Sequence, residues 1–573
     1  MLFRSVLWIH DFPAVTPEGT LDWASLAQVV DGYLAALADR IEAYDSTGTL
    51  PSYFIFLDQF YYEERKSREL MTLLEDPLRA SAQLRHAARQ DADRLLAALE
   101  RLRRAVRGSR VLQAQAREYG NEWLHNRVKV HVNITNRIDP SFWGGGLAGS
   151  LFGYPDDVMR DHRKIAFRDV SEQHPFAGGA ILTGMGVGQH YLGPGWDDRS
   201  LLLQGPVLLE LKRAARDLLL SQGMREADLP LPLRSEGSAH GVPRPGDSLD
   251  ARFDARAMAL LNGTGYLPKP LNVAKALLYS LMPPGSVITV PDPLWNSSFY
   301  AGLLVGACLR GDHILVIAPA LANAPSSGFP SMARAHELLT RLLLVRGELG
   351  AAIVASGGEL RAGLYALPPD QHGFPSRADL WARQIATTPF LQALMPFAPA
   401  LVPMVADAGR GPPGGDSAAP DTGRPKLHQK MQFLATYDLW RAISASPEWP
   451  RFMSTYLRYR EVTYSPEGVN AQARELSDSL ERIAERLFAP PRSSPRAASF
   501  AIVGSQNQDY RGMFMDGEAG VLFTGPESLV PLIDLVFMMG TVTWVDDQTT
   551  LDRLLPPVGE LERRIARVTK DAL

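Results

Sequence analysis

Two periods of apolar residues alternate along the chain. Short continuous runs at Ser52–Leu57 (SYFIFL), Val128–Ile134 (VKVHVNI), Ser286–Val290 (SVITV), Ile314–Ala318 (ILVIA) and Phe500–Val503 predict buried strands. The opening residues MLFRSVLWI read as one more. Between the runs, apolar residues recur every three or four positions over Glu63–Glu118, Leu208–Ser221, Ala274–Leu281 and Ala333–Val345, which predicts amphipathic helices. Phe299–Leu309 is apolar all round and reads as a buried helix. Arg310-Gly311 turns it into the next strand, and the apolar stretch Ala351–Ala355 follows Ala333–Val345. The order strand, helices, strand occurs twice, which is an α/β pattern.

Three polar, Pro- and Gly-rich stretches interrupt it: Gln222–Asp250, Ala406–Pro425 and Ala489–Ser499. A chain of 573 residues exceeds what one core serves. We therefore expect two units, 1–235 and 236–573, the second with a helical insertion at Ser444–Leu487, about residues 440–490. Ala406–Pro425 is either a solvated connector or a mobile loop at the mouth of a site.

Composition narrows the classes. The chain is 46% hydrophobic and 21% charged, like an ordinary globular protein, and its net charge of −4 disfavours a protein that grips nucleic acid mainly by neutralising phosphates. The single cysteine, Cys308, excludes an internal disulfide or a multi-cysteine zinc site, and its apolar surroundings predict a buried, inert thiol. No run approaches eighteen apolar residues, so no transmembrane helix is expected. Arg4, His10 and Asp11 break the opening patch too early for a signal peptide, and the compartment stays open.

Only nine lysines occur against fifty arginines, yet two follow a histidine by two positions: His162-Arg-Lys164 and His428-Gln-Lys430. Chance would place about 0.2 such pairs. The first continues to Asp169 as HxKxxxxD. Two copies well apart point to a duplicated unit and to phosphodiester transfer through a phosphohistidine. One neutral imidazole attacks phosphorus, a protonated one serves the leaving oxygen, and ammonium groups hold the charge on the phosphoryl oxygens. If each HxK lies on a strand, histidine and lysine share a face.

These residues resemble the phospholipase D (HKD) superfamily, in the direction of its bacterial phospholipase D-like and cardiolipin synthase-like members. In the first half, HRKIAFRD is followed by Gly178-Gly179, Trp196-Asp197-Asp198 and Gly205-Pro206. In the second, His428-x-Lys430 is followed by Gly504-Ser505-Gln506-Asn507, by Asp509-Tyr510-Arg511 and by Glu518. The resemblance implies two pseudo-symmetric α/β/α halves with the site at their interface. It makes His162 the nucleophile and His428 the general acid, and assigns phosphate binding to Lys164, Lys430 and Asn507 with Ser505 nearby. It has Asp198 and Glu518 hold the histidines, leaves Asp169 as motif support, and calls for no metal or other cofactor.

The sequence departs from that family at three places. The second motif has Ala435 where the aspartate belongs. The first-half GGxN reads Gly178-Gly179-Ala180-Ile181, without its amide. More than seventy residues separate Lys430 from Asn507, so that the helical insertion reads as a lid or cap. Other features carry less. His125 and His131 flank a strand without a lysine, and His190 sits in a Gly-rich loop. Asp292-Pro-Leu-Trp-Asn296 is either a plain turn or a wall of the entrance, and Leu535–Val545 is either a buried element or a lipid contact. Gly184-Met-Gly186-Val-Gly188 lacks the setting of a dinucleotide loop.

The expected activity is hydrolysis or head-group exchange on a phospholipid, with peripheral membrane contact. The alternatives are a nuclease or another phosphodiesterase of the same fold, and an inactive lipid- or partner-binding member. Both motifs in one chain are compatible with a monomer.

Overall fold

A computed structural model describes residues 4–9, 23–48, 50, 52–58, 73–79, 92–135, 161–174, 176–184, 196–198, 200–221, 224–229, 233, 257–263, 268–324, 329–365, 426–439, 447, 482, 498–509, 511–524, 528 and 542–568. Within them the fold is α/β, with strands in two large sheets and one two-stranded sheet, and helices packed against them. The first-sheet strands are β1 (Arg4–Ile9), β2 (Ser52–Asp58), β3 (Val130–Thr135), β4 (Ile165–Arg168) and β5 (Gly179–Thr183). A two-residue strand β6 (Trp196–Asp197) precedes the edge strand β7 (Ser200–Leu203).

The second sheet holds β8 (Ala257–Asn262), β9 (Val287–Pro291), β10 (His313–Pro319) and β11 (Glu359–Tyr365). After the two-residue β12 (Lys426–Leu427) come β13 (Met431–Ala435), β14 (Ser499–Gly504), β15 (Glu518–Thr524) and β16 (Val542–Trp544). The orders are β3-β2-β1-β4-β5-β7 and β16-β11-β10-β9-β13-β14-β15-β8. Six strands repeat: in each sheet two parallel pairings are followed by three antiparallel ones. The first sheet uses residues up to 203 and the second begins at 257.

The parallel strands read as unbroken apolar runs because both of their faces are covered. Val287, Leu315, Ile317, Phe433 and Val503 face inward and share one core with Phe54, Phe56, Ile165, Phe167 and Leu182 of the first sheet, around the helix Val207–Ser221. Ile288, Val290, Ile314, Val316 and Leu434 face outward under the helices Ser298–Leu309 and Phe329–Glu348. A third core joins β2 and β3 to the helices Trp23–Glu42, Ala92–Gly108 and Arg110–Tyr119. Each fully buried Leu, Val or Ile contributes about 1.5–3 kcal/mol by leaving water.

Local signals start the helices. The Ser297 hydroxyl accepts the Tyr300 N–H, and the Ser109 hydroxyl accepts the Leu112 N–H. Cys308 is buried in Ser298–Leu309, and burial pushes its thiol up to about 12, which keeps it inert as expected.

Several expectations change. Leu229 and Leu233, inside the proposed linker, are fully buried in the shared core, so that part of Gln222–Asp250 is packed rather than surface loop. Ala351–Ala355 lies in a helix, Gly350–Ser356, and the strand that follows is Glu359–Tyr365. Trp295 and Asp292 are fully buried, which makes Asp292–Asn296 a turn of the core and not an entrance wall. Of Leu535–Val545, Val542–Trp544 is a strand with Trp544 buried. The boundary at 235/236, the loop Ala406–Pro425, almost all of Ser444–Leu487, His190 and Gly186–Gly188 lie outside the described residues. Among the described residues no helix is long and apolar enough to cross a membrane.

Candidate active site

Both HxK motifs sit just ahead of equivalent strands. β4 begins one residue after Lys164 and β13 one residue after Lys430, so the motifs precede the strands and do not lie on them. Backbone bonds fix their neighbours: Thr183 N–H donates to Lys164 O at 3.0 Å and Gly504 N–H to Lys430 O at 3.2 Å. That places Gly184 and Ser505 at matching positions, each one residue further on.

The register also corrects the first-half motif. Gly179 pairs with Arg168, at the far end of β4 from Lys164. The stretch matching Gly504-Ser505 is therefore Thr183-Gly184, and not Gly178-Gly179. Ile181 stands on the outer surface of β5, 47% exposed.

Two short parallel contacts tie the halves together. β12 pairs with β6, Leu427 opposite Asp197, and Asp161 bridges Gly517. His162 N–H donates to Gly517 O at 2.8 Å. Each histidine is thereby laid against the acid of the other half. His162 Nδ1 lies 2.9 Å from Glu518 Oε1, and His428 Nδ1 lies 2.5 Å from Asp198 Oδ2. The two carboxyl side chains are 1% exposed. Gly184 has no side chain because Asp198 fills the space; a Cβ there would lie 2.6 Å from both carboxylate oxygens.

The lysines complete the floor. Lys164 and Lys430 are buried, and each donates to the carbonyl of its own histidine, at 3.1 and 2.9 Å. Lys430 Nζ also lies 3.0 Å from both ring nitrogens of His428. The Ser505 hydroxyl donates to Glu518 and accepts Ala519 N–H at 3.0 Å, so it reaches the site through Glu518. The Asn507 side-chain oxygen is buried and has no hydrogen-bond partner among the described residues. Asp169 stands at the far end of β4 from Lys164, in left-handed backbone with φ 52°, and Ala435 at the matching place is buried in β13.

Burial sets the titrations. It pushes His428 down to about 4, with Lys430 adding to the effect and Asp198 opposing it. Burial and Asp516 raise Glu518 to about 8 against Lys164, Ser505 and Lys430. Burial lowers Lys430 to about 8 while Asp198 holds it up. His125 and His131 stay outside the site: His125 Nδ1 lies 2.7 Å from Asp76, and His131 stacks on Phe54. Sequence reasoning did not single out the buried Lys275; its signal is charge within apolar surroundings. Among the described residues no group of three or more His, Cys, Asp or Glu is placed to hold a metal ion.

No protein-family model matches the chain, and no curated protein matches its sequence. Among solved structures it is similar to the phosphatidylserine synthase of Haemophilus influenzae Rd KW20, at TM-score 0.43 and 9% identity over 99% of this chain and 88% of that one. It is also similar to the polyphosphate kinase of Porphyromonas gingivalis, at TM-score 0.37 and 7% identity over 100% of this chain and 49% of that one. Neither likeness assigns the chain a family or an activity.

Proposed function

We propose that the protein is a phospholipase D-type phosphodiesterase that hydrolyses or exchanges head groups on phospholipids through a phosphohistidine. The observation that carries this reading is the crossed pair, His162 on Glu518 and His428 on Asp198, each with a lysine two residues on. A carboxylate on Nδ1 leaves Nε2 facing the reactant. His162 Nε2 attacks phosphorus, and the bond to the head-group oxygen breaks as His428 donates its proton. Lys164, Lys430 and Asn507 hold the phosphoryl oxygens, and Ser505 and Glu518 hold His162. Water, activated by the then neutral His428, cleaves the phosphorus–nitrogen bond to give phosphatidate. An alcohol in its place gives the exchanged phospholipid.

Exposed apolar side chains favour lipid over nucleic acid. Phe514 stands on the helical turn Arg511–Met515 ahead of Glu518. Val273, Leu277 and Leu281 line one face of the helix Pro270–Leu281, whose Asn272 donates to Met513 O, and Phe299 opens the next helix.

The test is turnover of mixed phospholipid vesicles with a short primary alcohol present. The expected result is a phosphatidyl-alcohol product that disappears in His162→Ala. A product that persists in the variant, or no product from any lipid, refutes the reading.

A further inference from the structure

Asn507, the amide proposed to hold phosphate, is itself held through its chain neighbours. On one side Gln508 O accepts backbone N–H groups from Asn296 at 3.0 Å and from Ser297 at 2.8 Å. On the other side Gln506, 1% exposed, donates from its amide to Gly512 O at 2.7 Å and to the side-chain oxygen of Asn272. The Asn507 side-chain oxygen is buried without a hydrogen-bond partner among the described residues, so no bond of its own fixes it. Its placement falls to the chain on either side.

Asn272 anchors that hold. It lies in the first turn of the helix Pro270–Leu281, outside both motifs. Its side-chain oxygen accepts from Gln506 and, at 3.0 Å, from Asn262, while its NH2 group donates to Met513 O. Asn262 is fully buried, stands opposite Glu518 in the β8–β15 register, and accepts Leu271 N–H at 2.9 Å. Backbone atoms at the ends of this network fix each amide in one orientation. A carbonyl can only accept, so Gln506 turns its NH2 to Gly512 and Asn272 turns its NH2 to Met513. An N–H can only donate, so Asn262 turns its oxygen to Leu271. The Asn272 oxygen is then left facing two donors. Ser297, which holds Gln508, also places its hydroxyl 2.9 Å from Met513 Sδ. An aspartate at position 272 would keep both acceptor bonds but set a carboxylate against Met513 O.

We propose that Asn272 is a positioning residue for Asn507: through Gln506 and Met513 it holds the Asn507 amide ready for a phosphoryl oxygen before the substrate enters. The inference rests on reading Asn507 as a phosphate ligand. A donor that is already placed binds without first being ordered, so releasing it weakens phosphate binding much as removing it does.

The probe is inorganic phosphate, its affinity followed by calorimetry in the unaltered protein, Asn507→Ala, Asn272→Asp and the double variant. Asn507→Ala should weaken binding about tenfold. Asn272→Asp should approach the same loss, and the double variant should bind no more weakly than Asn507→Ala, since an absent amide cannot be misplaced. Paired with Lys164→Gln instead, the Asn272→Asp loss should multiply, because Lys164 belongs to the other half. General loosening would not separate the two pairings. Losses that multiply with Asn507→Ala, or that fail to multiply with Lys164→Gln, overturn the proposal. So does phosphate that fails to bind, or that binds regardless of Asn507→Ala. If Asn272→Asp does not fold, Gln506→Met, which removes the Gln506 donors at similar size, replaces it in both pairings under the same criteria. The phospholipid reading fails separately. If the pairings behave as expected but no vesicle lipid is turned over, the positioning stands and the phospholipid reading falls. If a phosphatidyl-alcohol forms and is lost in His162→Ala while the Asn507 losses multiply, the reverse holds.

Discussion

At the scale of single residues, the crossed carboxylates decide what the imidazoles can do. His162 attacks only when Glu518 is ionised and accepts the Nδ1 hydrogen; a protonated Glu518 donates instead and forces the hydrogen onto Nε2. Glu518 is raised to about 8, so the attacking form grows as pH rises toward that value. Lys430 is lowered to about 8, so phosphate binding fails as pH rises past it. With the proton donor His428 at about 4 in the empty pocket, its loss of proton offsets the gain from Glu518, so kcat/KM should run level from about pH 4 to 8 and fall steeply above, its limbs belonging to coupled groups. Glu518→Gln should turn that level stretch into a fall with rising pH and lower kcat about 100-fold or more, and Asp198→Asn should lower it comparably by spoiling the proton donor. A bell centred at about pH 8, or a level stretch that survives in Glu518→Gln, contradicts this assignment.

At the scale of elements, strands buried on both faces were legible because they are unbroken apolar runs, and the helices because their apolar stripes recur every turn. Glu359–Tyr365 was missed because Glu359 and Arg361 interrupt its run; the two pair with each other at 3.0 Å. The first-half phosphate motif was misplaced because glycine pairs carry no register; only the Thr183–Lys164 hydrogen bond shows that the matching turn begins at Thr183. The His162–Glu518 and His428–Asp198 pairs span 356 and 230 residues, and no local pattern reports such contacts.

Two predictions belong to this scale. Asp169 holds a left-handed backbone that asparagine also tolerates, so Asp169→Asn should leave stability and turnover nearly unchanged. Asp169→Val should cost about 1–2 kcal/mol in denaturant unfolding. The stripe Val273, Leu277 and Leu281 is 57%, 51% and 72% exposed, more apolar surface than one helix face needs in water. Leu277→Glu with Leu281→Glu should cut vesicle binding and vesicle turnover about tenfold, and spare turnover of a dispersed short-chain phospholipid. Equal loss on both substrates would place the stripe in the fold instead of at a membrane.

At the scale of the whole molecule, joining the halves concentrates charge that neither holds alone. Lys164 and Asp198 come from the first half, and Lys430, Glu518, Asp292 and Asp509 from the second, all under low exposure. In the empty pocket His428 sits at about 4, chiefly through burial and Lys430, so near neutral pH it lacks the proton that the proposed leaving-group step requires. An entering phosphodiester monoanion reverses the balance: it offsets the Lys430 charge and favours every protonated neighbour. His428 must then rise, and the proton arrives with the substrate. Binding should therefore take up protons at neutral pH. A phosphonate monoester keeps a single charge across this range, so calorimetry in buffers of different ionisation enthalpy measures the uptake directly. We expect net uptake of up to about one proton, reduced in His428→Asn and retained in His162→Ala. Binding without uptake, or uptake indifferent to His428, would mean that the donor is charged before the substrate enters and that the acid role belongs elsewhere.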